Sequence, residues 1–427
     1  IFGFELMMAP YAVAHMKLGL QLAETGYDFA SDERLGIYLT NTLEEAEETS
    51  RTLFAQYLSQ EAMAANKVKK EMPIMVVTGN PPYAGHSANK SWKMEGEKKV
   101  PNFIGRLLKN YYEVDGEPLK EKNPKWLQDD YVKFIRFGQH RIEETGSGIL
   151  AFITNHGYLD NPTFRGMRQS LMRTFDEIYI LDLHGNSKKK ETCPDGSADK
   201  NVFDIQQGVS IGIFVKTTND ETSAKVCHAH LYGLRKNKYE WLAQNGIDTT
   251  VWETLKPQKP FYLFTPQDRK VHAEYRQGLS LNDIAKTNSA GVVTARDDLT
   301  IHWDDELLWK TVKQFADMDE EEARKIFQLG KDAQDWKVSL AQADVRESGP
   351  NKKYIQKILY RPFDMRSIYY TGKSRGFICR PRSEVMCHML TGKNLGIVTT
   401  RQTRDKWDAF VTNTICGHKS CAAYDIN

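Results

Sequence analysis

The sequence is poor in paired cysteine. Its six cysteines are scattered over 427 residues with no C-x-x-C pair, so neither a disulfide framework nor a paired-thiol zinc module organises the fold. Thiols spaced in this way suit a reducing cytoplasm. Cys416, His418 and Cys421 lie close together, but no fourth ligand stands beside them, and ordinary thiols in a basic loop are expected rather than a metal site. Long apolar runs are missing too: none approaches the length of a bilayer-spanning helix, which excludes a helical membrane span, and no signal-peptide pattern opens the chain.

What is present is a globular composition, 40% hydrophobic, with room for two or three domains. The net charge of +2 hides an asymmetry. From Asn351 onward there are 14 Lys and Arg against 5 Asp and Glu, which leaves the first 350 residues acidic by seven charges. That segregation points to a polyanion partner for the C-terminal part, with a solvated basic face as the plainer alternative.

One stretch organises the rest. Pro73 to Gly79 contains an Ile-Met-Val-Val run that reads as a buried strand. Asn80-Pro81-Pro82-Tyr83 follows, and its two prolines can continue neither strand nor helix. The result is a stiff loop at the carboxyl end of a strand, where open α/β sheets place their ligands. Asn80 offers a side-chain carbonyl, Pro81 a backbone carbonyl and Tyr83 an aromatic face. Two converging acceptors suit an exocyclic amine: they hold its hydrogens and aim its lone pair, while the tyrosine stacks on the attached ring.

Strand, acid and helix stand at the start of the chain. Ile1 to Glu5 reads as a strand end and Ala9 to Leu22 as a helix with apolar residues at helical spacing. An acidic residue closing such a strand commonly holds ribose hydroxyls, which makes Glu5 a candidate. A second strand ends near Asn41, and 44–70 reads as a charged, Ala-rich helix. A polar, Lys- and Gly-rich segment at 84–100 is expected to be a mobile loop. Further on, the pattern predicts helices over 127–144 and 164–174. Strands are predicted over 148–154 and 177–183, with another over 210–216 in a terminal hairpin. His156 reads as a loop histidine, and Asp317 to Arg324 as an acidic, solvated helical patch.

The Asn80-Pro81-Pro82-Tyr83 motif resembles the catalytic motif of S-adenosylmethionine-dependent amino methyltransferases, above all the adenine-N6 DNA enzymes, and the order of blocks resembles their gamma group. The resemblance implies a Rossmann-like α/β methyltransferase domain over 1–216 and a mixed α/β target-recognition domain over 217–427. It assigns Asn80, Pro81, Pro82 and Tyr83 to catalysis. Glu5 and Asn41 go to S-adenosylmethionine, as ribose and adenine contacts. Phe203 faces the flipped base beside Tyr83, with a core phenylalanine as the equal alternative.

Longer strings sharpen the likeness. Gly3-Phe4-Glu5-Leu6-Met7-Met8-Ala9-Pro10-Tyr11, Leu39-Thr40-Asn41-Thr42-Leu43-Glu44 and Arg361-Pro362-Phe363-Asp364 resemble single-chain Type I-like (Type ISP) restriction–modification enzymes. The likeness covers nearly the whole chain. It implies a bacterial, cytoplasmic, site-specific adenine methyltransferase acting on double-stranded DNA, with nuclease and helicase-like ATPase domains upstream on the same polypeptide. The departure is the first βα unit, whose Gly-rich loop should lie under the cofactor. Gly146-Ser147-Gly148 precedes a strand instead of following one, and no other candidate stands in the sequence, so the chain is expected to be a piece of a longer protein. In the basic tail, Arg361, Arg375, Arg380, Arg382, Arg401, Arg404 and Lys406 alternate with aromatic residues, as suits contact with phosphates and base edges. The rival readings are a protein glutamine-amide methyltransferase, which shares the four-residue motif, and a non-catalytic DNA-specificity subunit.

Overall fold

A computed structural model describes residues 1–28, 34–44, 53–83, 85, 87, 89–121, 124–218, 224–333, 335–400 and 407–420. The chain forms two compact units, Ile1–Asp268 and Arg269–Asn427.

The first unit opens with β1 (Phe2–Glu5), α1 (Met8–Glu24), β2 (Gly36–Leu39), α2 (Leu53–Glu71) and β3 (Val76–Gly79). Two short hairpins flank a short helix: β4 (Trp92–Glu95) with β5 (Lys98–Pro101), α3 (Phe103–Leu107), then β6 (Glu113–Val114) with β7 (Glu117–Pro118). The remainder is α4 (Asp130–Thr145), β8 (Gly148–Asn155), α5 (Arg165–Thr174), β9 (Glu177–His184), β10 (Val209–Lys216), β11 (Lys225–His230), α6 (Arg235–Gln244) and β12 (Glu253–Leu255).

Six of these strands form one sheet in the order β12-β11-β9-β10-β8-β3. β3 runs parallel to β8 and β11 parallel to β9, while β10 lies antiparallel between β8 and β9. β1 and β2 form a separate parallel pair. Alternation along the central strands sends their side chains to two cores. Leu150, Phe152, Ile178, Ile180 and Phe214 meet Tyr131, Val132, Ile135 and Ile142 of α4 and Met167 and Leu171 of α5. Leu181, Val209 and Ala229 gather Ile153, Ile211 and the α6 residues Trp241 and Leu242 on the other face. Burial of β9 on both sides is why it reads as an almost continuous apolar run. α4 stops at Gly146, whose φ of 89° is left-handed and whose N–H reaches the Ile142 carbonyl at 2.9 Å.

Three expectations change here. β3 is not buried: Val76 is 62% exposed, and the edge opposite β8 carries no strand partner among the described residues. Its apolar run belongs to a strand covered along one edge only. Segment 84–100 is not all loop, since β4 pairs with β5 through Trp92–Pro101 and Glu95–Lys98. Residues 217–268 were expected with the recognition domain, but they lie in the first compact unit, because β11 extends the sheet by pairing with β9 over Lys225–His230.

The second unit contains α7 (Arg269–Arg276), α8 (Leu281–Ile284), α9 (Asp297–Thr300), β13 (Ile301–His302), α10 (Asp305–Asp317), α11 (Glu320–Ile326) and α12 (Val338–Glu347). It ends with β14 (Ile355–Arg361), β15 (Asp364–Tyr369), α13 (Ser383–Met389), β16 (Gly396–Thr399), β17 (Ala409–Thr412) and β18 (Ile415–Cys416). β14 and β15 form a hairpin at the centre of a four-stranded sheet ordered β13-β15-β14-β18. Leu308, Val312 and Phe315 of α10 and Ala341 and Val345 of α12 pack with Trp336, Tyr369 and Phe377 in one core. Ile301, Ile358, Ile368, Met386 and Ile415 form a second. Asp304 and Asp319 cap α10 and α11 through backbone N–H groups, Leu307 in the first case and Glu321 and Glu322 in the second. The expected acidic patch is mostly α11, where Arg324 bridges Glu320, Glu321 and Asp332.

Candidate active site and basic surface

The carboxyl ends of β3, β8 and β9 and the amino end of β10 share one edge of the sheet, as their directions require. Asn80 to Tyr83 leave that edge directly after β3. Asn80 is exposed and Pro81 is buried, and no hydrogen bond engages the Asn80 side chain among the described residues. Its carbonyl is therefore open to a ligand. Tyr83 is half-buried, and burial lifts its phenol to about 12, which keeps it a neutral aromatic face at working pH. Tyr83 and Phe203 pack against the same apolar cluster of Leu181, Leu183, Val202, Val209 and Ala229. Phe203 is held from the loop side: its N–H donates to Asn201 Oδ1 at 2.8 Å and its carbonyl accepts from Arg235 at 2.9 Å.

The loop after Tyr83 is anchored from beneath. Lys133 of α4, fully buried, donates to Ser87 Oγ and to the Asn89 carbonyl, and Ser87 donates to Asp130. Burial lowers the Lys133 pKa against the pull of Asp130 and Asp129. Asn89 then accepts from Asn41 Nδ2 at 2.8 Å, while Asn41 Oδ1 holds the Leu43 N–H at 3.0 Å. The Asn41 amide is thus engaged with protein on both its ends, and its position at the end of β2 links that strand to the loop after β3. Lys69 of α2 reinforces the corner. It donates to the carbonyls of Asn41 (2.6 Å) and Glu44 (3.1 Å), and burial brings its pKa down to about 8.

Glu5 closes β1. Its Oε1 accepts from the N–H groups of Leu6 (2.9 Å) and Met7 (3.0 Å), which fixes the carboxylate at the strand end and leaves Oε2 open. Glu5, Asn41 and Asn80 each stand at the carboxyl end of a strand, or just beyond it, in β1, β2 and β3. Thr40 donates its N–H to the Glu5 carbonyl at 2.8 Å, which holds the ends of β1 and β2 together, and the anchored Glu5 carboxylate is the kind of acceptor a ribose hydroxyl would need.

Sequence reasoning missed a buried polar network at the same edge. His156 is no loose loop histidine: it sits in a single 3-10 turn after β8 and hydrogen-bonds Asp182 through Nδ1 at 3.0 Å. Burial opposes its protonation, but the Asp182 contact outweighs this and raises its pKa, while Asp182 is held down at about 2. Its ring lies so close to Gly208 that a Cβ there would come within 2.2 Å. His184 stacks on Tyr232 with ring centroids 3.8 Å apart and shares a 2.8 Å hydrogen bond with His230. Two groups here bring metal-ligating atoms together, His156/His184/Glu191 and Asp182/His184/His230; His184 and His230 share a hydrogen bond, Asp182 bonds His156, and His184 Nδ1 lies 3.6 Å from Asp182 and 3.8 Å from Glu191. The only sequence signal was the number of His and acidic residues between 156 and 230.

In the second unit the predicted basic residues separate. Arg375, Arg380 and Arg382 line one surface cleft with Asp335, Ser374, Cys379 and Glu384. Arg380 bonds Asp335, and Arg375 approaches the same carboxylate at 4.0 Å. The Nε of Arg382 is buried without a partner. Arg361 lies elsewhere, at the end of β14, with its guanidinium 4.0 Å from the centre of the Tyr360 ring. Arg401, Arg404 and Lys406 lie outside the described residues.

Comparison with known proteins bears on the two units unequally. Residues 283–424, nearly all of the second unit, match the family model of the Type ISP C-terminal specificity domain. Solved structures share the fold over 97% of the chain. The ATP-dependent Type ISP restriction-modification enzyme LlaBIII bound to DNA gives a TM-score of 0.64 at 21% identity. The DrdV–DNA complex gives 0.62 at 22%, and a nuclease-deletion mutant of the Type ISP enzyme LlaGI with a DNA substrate mimic gives 0.62 at 20%. The chain spans 28%, 41% and 35% of those three chains. No curated protein matches it.

Proposed function

We propose that this chain is the modification and target-recognition part of a restriction–modification enzyme. On this reading it transfers a methyl group from S-adenosylmethionine to N6 of an adenine flipped out of double-stranded DNA. The observation that carries the reading is the exposed Asn80 carbonyl at the end of β3, in one chain with a segment that matches a specificity domain.

S-adenosylmethionine, when bound, supplies an electrophilic methyl group. Asn80 Oδ1 and the Pro81 carbonyl accept the two N6 hydrogens and aim the nitrogen lone pair. Tyr83 stacks on the extruded base, with Phe203 closing the apolar wall. Glu5 Oε2 takes a ribose hydroxyl, and Asn41, through Asn89, sets the corner for the adenine of the cofactor. No strong general base would be required: as the N–C bond forms and the S–C bond of the sulfonium breaks, the nitrogen becomes cationic and acidic, and its extra proton would pass to solvent water. The sheet is then Rossmann-like, and the open edge of β3 is where a further parallel strand with a Gly-rich turn joins it. Arg361, Arg375, Arg380, Arg382, Arg401, Arg404 and Lys406 contact the duplex. Nuclease and helicase-like ATPase domains belong to the same enzyme.

The match at 283–424 also suits a specificity module without catalysis, and an open amide acceptor suits a glutamine amide as well as adenine. Labelled methyl transfer separates the three. The full-length protein, given labelled S-adenosylmethionine and a pool of duplexes, should place label on DNA that digests to N6-methyl-2′-deoxyadenosine. Label on protein, or duplex binding without label, would favour one of the rivals.

A further inference from the structure

Phe363 is the most exposed aromatic among the described residues, 90% accessible at the tip of the β14–β15 hairpin. The hairpin turns through Pro362 and Phe363, between the paired residues Arg361 and Asp364. Proline fixes the first φ near the value a tight turn needs. Phe363 then adopts a φ of 62°, the left-handed region where such turns favour Gly or Asn. Phenylalanine is therefore disfavoured twice at this position, by backbone conformation and by exposure of its ring to water. Neither cost helps the hairpin fold.

The tip stands beside a row of cations and rings. The Arg361 guanidinium lies 4.0 Å from the centre of the Tyr360 ring, and Arg366 lies 4.2 Å from Tyr360 and 4.0 Å from Trp303. Trp303 is itself 67% exposed. Arg361 makes its hydrogen bonds to Tyr360 alone, with no carboxylate among its described partners. Arg366 is held flat by Asp364 at 2.9–3.1 Å. Phe410 meets Phe363 edge-on, with centroids 5.6 Å apart, and so fixes the direction of the ring without covering it.

We infer that Phe363 is a wedge that inserts against a base-pair step of duplex DNA, while Arg361 and Arg366 take the flanking phosphates. The inference rests on the DNA reading above and goes beyond it, since it assigns one apolar side chain the task of unstacking the duplex. Apolar wedges on a rigid support work in this way by exchanging base stacking for protein contact. Two-residue hairpin turns are stiff, and the flanking cations supply the sequence-blind part of the grip.

The test uses the full-length protein and a duplex that it selects from a random pool, carrying 2-aminopurine at successive positions. Wild type should raise the fluorescence at one step. Phe363→Gly suits the positive φ, so it should keep or raise the melting temperature while losing the fluorescence rise and weakening binding about tenfold, the scale of one aromatic–base stack. Phe363→Trp should preserve both signals. A Gly variant with wild-type fluorescence and affinity would overturn the wedge. So would one that keeps its duplex affinity but loses self-association, which would make the tip a protein contact. Failure of the wild type to bind any duplex would strike the DNA reading itself.

Discussion

Cations stack on aromatic rings in both units, Lys90 and Lys99 on Trp92 in the first and Arg361 on Tyr360 in the second, but among the described residues the fully buried ones lie in the first. There, Lys133, Lys238 and Arg168 are fully enclosed and bonded, with Lys238 paired to Asp199 at 2.7 Å and Arg168 donating to the carbonyls of Tyr158, Asn161 and Phe261. In the second, cations lie on the surface, stacked on rings or sharing carboxylates, as Arg366 does with Trp303 and Arg380 with Asp335. Buried, fully bonded cations hold loops in one geometry, which a positioning site needs. Surface cations over aromatic faces keep their charge available to a polyanion. On the function proposed above, the difference would divide the labour: the first unit would fix a small reacting group, and the second would grip a long charged partner.

The largest effect that sharpens this division is at Asn80. If Asn80 is one of two acceptors for the target amine, as proposed, Asn80→Ala should lower methyl transfer by about a hundredfold or more while duplex affinity stays near wild type. Single-turnover transfer and a binding titration on the same preparation check both halves. An equal loss of binding would erase the division.

Glu5 comes next. Its carboxylate already holds two backbone N–H groups, so Glu5→Gln should preserve the strand end yet weaken S-adenosylmethionine by about tenfold, the scale of one charge-assisted hydrogen bond. Calorimetry on the full-length protein reads this, and an unchanged dissociation constant would move the ribose contact elsewhere.

A smaller effect is expected at Arg375, which is 68% exposed and only distantly paired. Arg375→Ala should lower the slope of log affinity against log salt by about one if it contacts a phosphate. Turnover at saturating duplex should not change. Loss of turnover at saturation with normal binding would place Arg375 in the chemistry and break the comparison from the other side.

Least visible is a stability effect in the first unit. His228 is buried with both ring nitrogens unpartnered, and burial drops its pKa from 6.5 to about 4. A depressed pKa means that the unfolded chain binds the extra proton first. The stability held by neutral His228 is complete above about pH 6.5 and is lost as pH falls towards 4. His228→Leu should flatten that limb, raising the melting temperature at pH 5 by about 2–4 °C relative to wild type. Asp182, held at about 2, titrates below this window, so a limb that survives the substitution would belong to another group.

Much of this was legible in the sequence because it depends on neighbours along the chain. The runs at 148–154, 177–183 and 210–216 alternate or stay apolar over the length of a strand, and each is a strand here. The amphipathic pattern at 127–144 is α4, begun three residues later. What failed to show depends on distant partners. The apolar letters of β3 look the same whether one edge or both are covered. β11 is six residues with two histidines, Lys-Val-Cys-His-Ala-His, and only its pairing with β9 makes it part of the sheet. The His156–Asp182–His184–His230 network draws on two strands, β9 and β11, and the 3-10 turn after β8, and no local spacing announces it. The basic tail was visible as charge, but its division between the Arg375–Arg380–Arg382 cleft and the Arg361–Arg366 stack follows from the hairpin and from the αL turn at Arg382.

The most direct test of the account is the identity of the methylated atom. The full-length protein, incubated with labelled S-adenosylmethionine and duplex DNA, is digested to nucleosides and separated by mass. The account predicts N6-methyl-2′-deoxyadenosine, formed by the wild type and almost absent with Asn80→Ala at matched duplex occupancy. Label on cytosine or on protein glutamine, or full N6 methylation by the Asn80 variant, would contradict it.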